Sequence, residues 1–185
     1  MSTTPAGAVS ASPIEAFSQC HVGILEHLLT LGRLPALLEP AAQARRIATD
    51  TVAFFRDAVF EHHAEEEREL FPAVLASAVD GEERDKVQSI VAALAAEHRS
   101  IESAWSKLEP KLKAVAKGHD VDIDVAEIAD LVERYQAHAR YEEQAFLPLS
   151  HTILGRNSNH LAALGVSLHM RHAMPAVMQR FAGRI

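Results

Sequence analysis

A chain of 185 residues suits one domain and can bury roughly 70% of its unfolded surface. It needs no disulfide to do so, since Cys20 is its only cysteine. A net charge of −7 with 25 acidic residues argues against nucleic-acid binding, which rests on Lys and Arg contacting phosphates. No apolar run approaches the roughly 18 residues of a membrane span. The lone cysteine, and an N-terminus with neither a basic start nor an apolar core, point to the reducing cytoplasm rather than to a signal peptide.

Residues 1–11 are small and polar and read as a disordered lead. Ser12-Pro13-Ile14-Glu15 has the form of a capping box with Pro at the first helical position. The first helix carries Phe17, His21, Ile24, Leu25, Leu28 and Leu31 on one stripe, and Gly32 and Pro35 end or bend it. A second helix is expected from about Ala41 to Ala78, disturbed at Pro72, with Phe55, Val59, His62, Glu66 and Leu70 on its stripe. Asp80-Gly81 marks a turn. The third helix then runs to about Lys117, with Val91, Leu94, His98, Ile101, Trp105 and Leu108 inward and Pro110 as a bend.

Gly118-His119-Asp120 reads as a loop. Asp124-Val125-Ala126-Glu127 has the form of a capping box for a fourth helix carrying Leu131, Tyr135, His138 and Glu142. Residues 155–159 break the chain. A fifth helix follows, with Leu161, Leu164, Leu168, Val177, Met178 and Phe181 as its apolar face. Residues 151–185 hold four Arg and no Asp or Glu, so this tail can dock on the acidic body or on a second subunit of a homodimer. No segment alternates with period two. The expected fold is all-α, an antiparallel four-helix bundle over residues 12–154 with a C-terminal helical extension over 155–185.

The chemistry lies in a repeat. The stretches from His62 to Pro72 and from His138 to Pro148 both read His-x-x-x-Glu-Glu-x-x-apolar-apolar-Pro. Positions i and i+4 of a helix share one face, about 40° apart, so an imidazole and a carboxylate can reach one point. His21-x-x-Ile24 and His98-x-x-Ile101 form a second repeat, in which Phe17, Leu28 and Leu31 match Leu94, Trp105 and Leu108. The chain order is lone His, His-x-x-x-Glu, lone His, His-x-x-x-Glu, as two similar helical hairpins would give.

All six residues lie on the apolar stripes, where an unpaired carboxylate is costly. Metal ligation explains the set His21, His62, Glu66, His98, His138 and Glu142. Two imidazoles and two bridging carboxylates would give each of two metals four protein ligands. An oxo or hydroxo bridge would add a fifth and leave one position open. Thiolates are absent from the set, which favours a redox-active pair of irons, then manganese, over structural zinc.

His63 with Glu67 is also an i, i+4 pair. Position 139 of the matching repeat is Ala, however, so His63 is read as lying outside the ligand shell or facing solvent. Glu67 and Glu143, about 140° from the histidines, are weaker ligand candidates. Cys20 is read as a buried inert thiol. Tyr135 and Tyr141 are read as packing residues with a phenol available to a ligand or a carboxylate. His27, His119, His151 and His160 are read as exposed or loop-placed, and His169 and His172 as surface residues of the fifth helix.

These residues resemble the hemerythrin-like family, the HHE cation-binding domain. His21, the segment from His62 to Pro72, His98, and the segment from His138 to Pro148 carry the resemblance, which spans about residues 12–154. It implies a four-helix bundle around a non-haem di-iron centre that binds dioxygen or related small molecules. His21, His62, His98 and His138 would then ligate iron, and Glu66 and Glu142 would bridge.

The oxygen-carrying hemerythrins have a fifth histidine one turn before the third-helix ligand, where this chain has Leu94. Their second bridging carboxylate is an Asp at i+5, where this chain uses a Glu at i+4. The symmetric set is more similar to bacterial HHE proteins and to the iron-centre repair proteins, which add an N-terminal cysteine-containing domain. The leading expectation is therefore sensing or storage of dioxygen or nitric oxide. The alternative is a di-iron enzyme that reduces peroxide or nitric oxide or oxidises iron.

Overall fold

A computed structural model describes residues 13–156, and the expected disordered lead and fifth helix lie outside those residues. Every regular element among them is helical, with no strand. Helix α1 spans Pro13–Leu31, and α2 spans Leu34–Phe54. A π-helical turn at Phe55–Val59 joins α2 to α3 (Phe60–Glu65), and a second at Glu66–Leu70 joins α3 to α4 (Phe71–Ser77). The junction residues keep right-handed helical angles, so residues 34–77 form one unbroken rod. Helix α5 covers Glu82–Ala116. The last rod is α6 (Val125–Tyr141), a third π-turn at Glu142–Phe146, and α7 (Leu147–Gly155).

The second helix starts at Leu34 rather than near Ala41, and it contains Pro40. Pro35 falls in its first turn, where a missing N–H costs nothing. The three π-turns are not foreseen by an α-helical reading. Two of them have a visible cause. Pro72 and Pro148 follow the π-turns by two residues, and a proline clashes with the carbonyl four residues back. The wider turn shifts the bonding: Phe71 N–H donates to the Glu66 carbonyl and Leu147 N–H to the Glu142 carbonyl, five residues back in each case. The π-turn at Phe55–Val59 has no proline behind it.

The chain divides into two compact units at Gln43. The first holds α1 and the opening turns of α2. Its apolar residues Phe17, Ile24, Leu25, Leu28 and Leu31 are exposed, contrary to the expected buried stripe. Cys20, expected to be buried, is exposed too.

In the second unit three rods pack together, and the short links between them make neighbours antiparallel. Gly81 and Gly118 make the reversals possible, with φ of 99° and 80°, a region that L side chains avoid. Past α5, His119 N–H reaches back to the Ala114 carbonyl and Gly118 N–H to that of Val115, which closes the C-terminus. The Asp124 carboxylate caps α6 by accepting from Ala126 N–H at 2.9 Å. The reciprocal half of the expected box is missing, because Glu127 accepts from Lys111 instead.

Two apolar clusters fill this unit. One joins Phe71, Val74 and Ala78 to Val87, Ile90, Leu94, Phe146, Ile153 and Leu154. The other joins Ala48, Phe55 and Val59 to Ile101, Trp105, Leu108, Leu112 and Leu131. Trp105 stacks flat on Phe55 with centroids 3.8 Å apart. Along each rod the histidines and glutamates fall between the two clusters, which places the polar layer at the waist of the unit.

Candidate metal centre

The waist brings together His62, His63, Glu66, His98, His138 and Glu142. His63, Glu66, His98, His138 and Glu142 are buried, and His62 is half-buried. Their ligand atoms fall into two groups, each within 4.8 Å: His63, His98 and His138, and His62, Glu66 and Glu142. Five of the six residues expected as ligands lie in these two groups. His21 is exposed on α1, in the first unit, and belongs to neither group.

The i, i+4 spacing works as expected at the first repeat. His62 Nε2 lies 3.4 Å from Glu66 Oε1, while the other oxygen of Glu66 lies 3.3 Å from His98 Nε2. One carboxylate thus faces imidazoles from two different helices, as a bridging ligand must. Ligand atoms of Glu66 and Glu142 lie within 4.8 Å of each other. Each of them opens a π-turn, a distortion that recurs at functional sites.

Two carboxylates outside the cluster hold the rings. Glu67 accepts from His98 Nδ1 at 2.7 Å and Glu97 from His138 Nδ1 at 3.2 Å. Arg99 ties Glu67 to Glu102. This fixes the tautomer and turns both Nε2 atoms towards the centre, the usual arrangement behind a metal-bound histidine. Glu67, weighed as a weaker ligand, instead orients one. Its repeat mate Glu143 is exposed.

The buried polar atoms of the waist are short of partners. His62 Nδ1, both nitrogens of His63, Glu66 Oε2, His98 Nε2 and His138 Nε2 make no hydrogen bond among the described residues. Leaving a buried polar group unsatisfied costs about 1–3 kcal/mol. So many in one place call for a cation.

The electrostatics agree. Burial pushes Glu66 up to about 7 and Glu142 up to about 8, with the neighbouring carboxylate adding to the rise at Glu142. Burial, reinforced by the other imidazoles, pushes His62 down to about 4 and His63 down to about 3. Burial thus favours the neutral forms of Glu66, Glu142, His62 and His63, and a cation would favour the ionised carboxylates. Neutral imidazoles and hard oxygens make a donor set that suits iron or manganese.

His63 does not face solvent, one of the two positions expected for it. It is 1% exposed, and its ring stacks on His98 with centroids 4.0 Å apart. The repeat could not reveal it, because the matching position is Ala139. Tyr135 is half-buried, with its ring 6.0 Å from that of His138, and Tyr141 packs on the first apolar cluster. His27, His119 and His151 are exposed as expected.

Comparison with curated proteins and with solved structures gave no match. The family model for the hemerythrin HHE cation-binding domain matches residues 12–150, which include both His-x-x-x-Glu repeats and the lone histidines of α1 and α5. By that match and by its cluster of buried histidines and glutamates, the chain belongs to the hemerythrin HHE cation-binding family.

Proposed function

We propose that this chain is a non-haem di-iron protein that binds dioxygen, nitric oxide or peroxide in its bundle core, in sensing or storage. The observation that carries this is the pair of ligand groups meeting at Glu66, whose two oxygens face histidines of different helices. His62, His98, His138, Glu66 and Glu142 would hold the metals, with His21 the further ligand expected from the motif. A hydroxo or oxo bridge would complete the pair. When bound, reduced iron supplies electrons and an open position for the small ligand.

The protein's own part is to position and to exclude. Glu67 and Glu97 hold two imidazoles with Nε2 inward. The apolar clusters on either side of the polar layer keep bulk water from the bound ligand and limit proton access. An acidic body and a buried site fit a small-molecule ligand rather than a nucleic acid. No described helix is long and apolar enough to cross a membrane. The cytoplasm is the proposed location, with homodimer pairing through the C-terminal extension.

The test is anaerobic iron loading followed by stopped-flow mixing with dioxygen, nitric oxide and peroxide. Two irons per chain and a ligand-dependent absorption change support the reading. One metal per chain, or zinc alone after growth with abundant iron, overturns it.

A further inference from the structure

The repeat assigns a single histidine to each His-x-x-x-Glu segment, yet two adjacent imidazoles of the first segment enter the waist. His63 is the deeper of the pair: its side chain is 2% exposed against 16% for His62. A neutral imidazole has one donor and one acceptor. Neither nitrogen of His63 has a hydrogen-bond partner among the described residues. Hydrophobic packing alone does not explain a buried ring with both polar atoms unmatched, since Phe would fill the same space without that cost.

His63 has a carboxylate near Nδ1 as its neighbours do, though beyond hydrogen-bond distance. His98 Nδ1 faces Glu67 at 2.7 Å, His138 Nδ1 faces Glu97 at 3.2 Å, and His63 Nδ1 faces Glu102 at 3.8 Å. In all three rings Nε2 is buried and unpartnered. The His63 and His98 planes are 7° apart, so the two rings run side by side. A carboxylate behind Nδ1 and a free Nε2 in front is the arrangement that orients a metal-bound histidine. A pocket of about 300 Å³, lined by Phe60, His63, Ala64, Glu67, Arg68, Arg99 and Glu102, opens beside the ring.

We propose that His63 is a metal ligand through Nε2, which completes with His62, His98 and His138 a set of four imidazoles inside the second unit, with Glu102 as its positioning carboxylate. The inference rests on the metal-centre reading above. It departs from the motif, which leaves this position unassigned.

The test uses the full chain, anaerobic ferrous iron, metal analysis and the absorption spectrum of the loaded protein, with circular dichroism as a check of folding. His63→Phe keeps a ring to stack on His98 but removes both nitrogens, and His63→Gln keeps a polar group of smaller size. If one variant fails to fold, the other decides. The expected result is loss of about one iron per chain, or iron binding at least about tenfold weaker, with an altered spectrum. Glu102→Gln should keep the iron but weaken its binding by about 10–100-fold. Wild-type stoichiometry, affinity and spectrum in the folded His63 variants overturn the assignment. Absence of iron from the unaltered chain fails the metal-centre reading instead, so the two failures are distinguishable.

Discussion

Removing metal should leave a protein whose stability falls as pH rises from 6.5 to 8. Glu66 and Glu142 are buried, and burial raises them to about 7 and about 8 from an ordinary value near 4.5. In the unfolded chain both are ionised above pH 5, so the folded state binds more protons and stability must fall with pH. His62 and His63 act in the opposite sense. They are lowered to about 4 and about 3, so the unfolded chain binds more protons below 6.5 and stability rises with pH there. From about pH 4.5 to 6.5 the two pairs nearly cancel. Above 6.5 the folded histidines are neutral and the unfolded ones lose their remaining protons by about pH 7.5, so the carboxyls dominate.

Raising the pH from 6.5 to 8 costs about 1.6 kcal/mol through Glu142 and about 0.8 kcal/mol through Glu66, at about 1.4 kcal/mol per pKa unit. The unfolded His62 and His63 return about 0.4 kcal/mol each over the same range, and the net of about 1.6 kcal/mol corresponds to about 3–6 °C in melting temperature for a chain of this size. Urea unfolding of chelator-treated protein, followed by circular dichroism at the two pH values, measures it. Iron-loaded protein should not show the fall, because the metal keeps both carboxylates ionised and paired. Metal-free stability that is constant or rises between pH 6.5 and 8 would refute the reasoning, as would an unchanged fall in the Glu66→Gln, Glu142→Gln double variant.

Iron loading at pH 6.5 in weak buffer should release about two protons per centre, and fewer at pH 8, measurable with an indicator dye. Under the bridging role proposed for each carboxylate, Glu66→Ala or Glu142→Ala should remove both metals; metal analysis that finds one iron retained would show that the residue serves a single ion. Trp105→Ala should cost about 3–5 kcal/mol in denaturant unfolding, because the ring is 2% exposed and stacked on Phe55. Asp124→Ala should cost about 1 kcal/mol through loss of the α6 cap, a shift of the unfolding midpoint with no change in metal content.

The helical rods of the second unit were legible because their periodicity is physical. Leu94, His98, Ile101, Trp105 and Leu108 recur at three and four residues, and all are buried on α5. Turn chemistry marked the rod ends at Gly81 and Gly118, where only a residue without Cβ takes the required φ easily. The doubled His-x-x-x-Glu identified the waist, because a spacing of four on an apolar stripe turns a carboxylate into the core. The π-turns were not legible. A proline after a glutamate pair suggests a disturbance, but whether the rod breaks, kinks or widens depends on what its neighbours pack against.

Local pattern therefore determined the all-α class, the rod boundaries to within a few residues except at the start of the second helix, and five residues that meet at the waist. Tertiary packing alone decided which residues stand behind them. Glu67, Glu97 and Glu102 look alike as surface-helix glutamates, yet each faces an imidazole on a different helix. The burial of His63 was not legible for the same reason. Helical phase states an angle about one axis, whereas burial depends on where the neighbouring rods lie, and here His63 lies against His98 and His138 and is more deeply buried than His62.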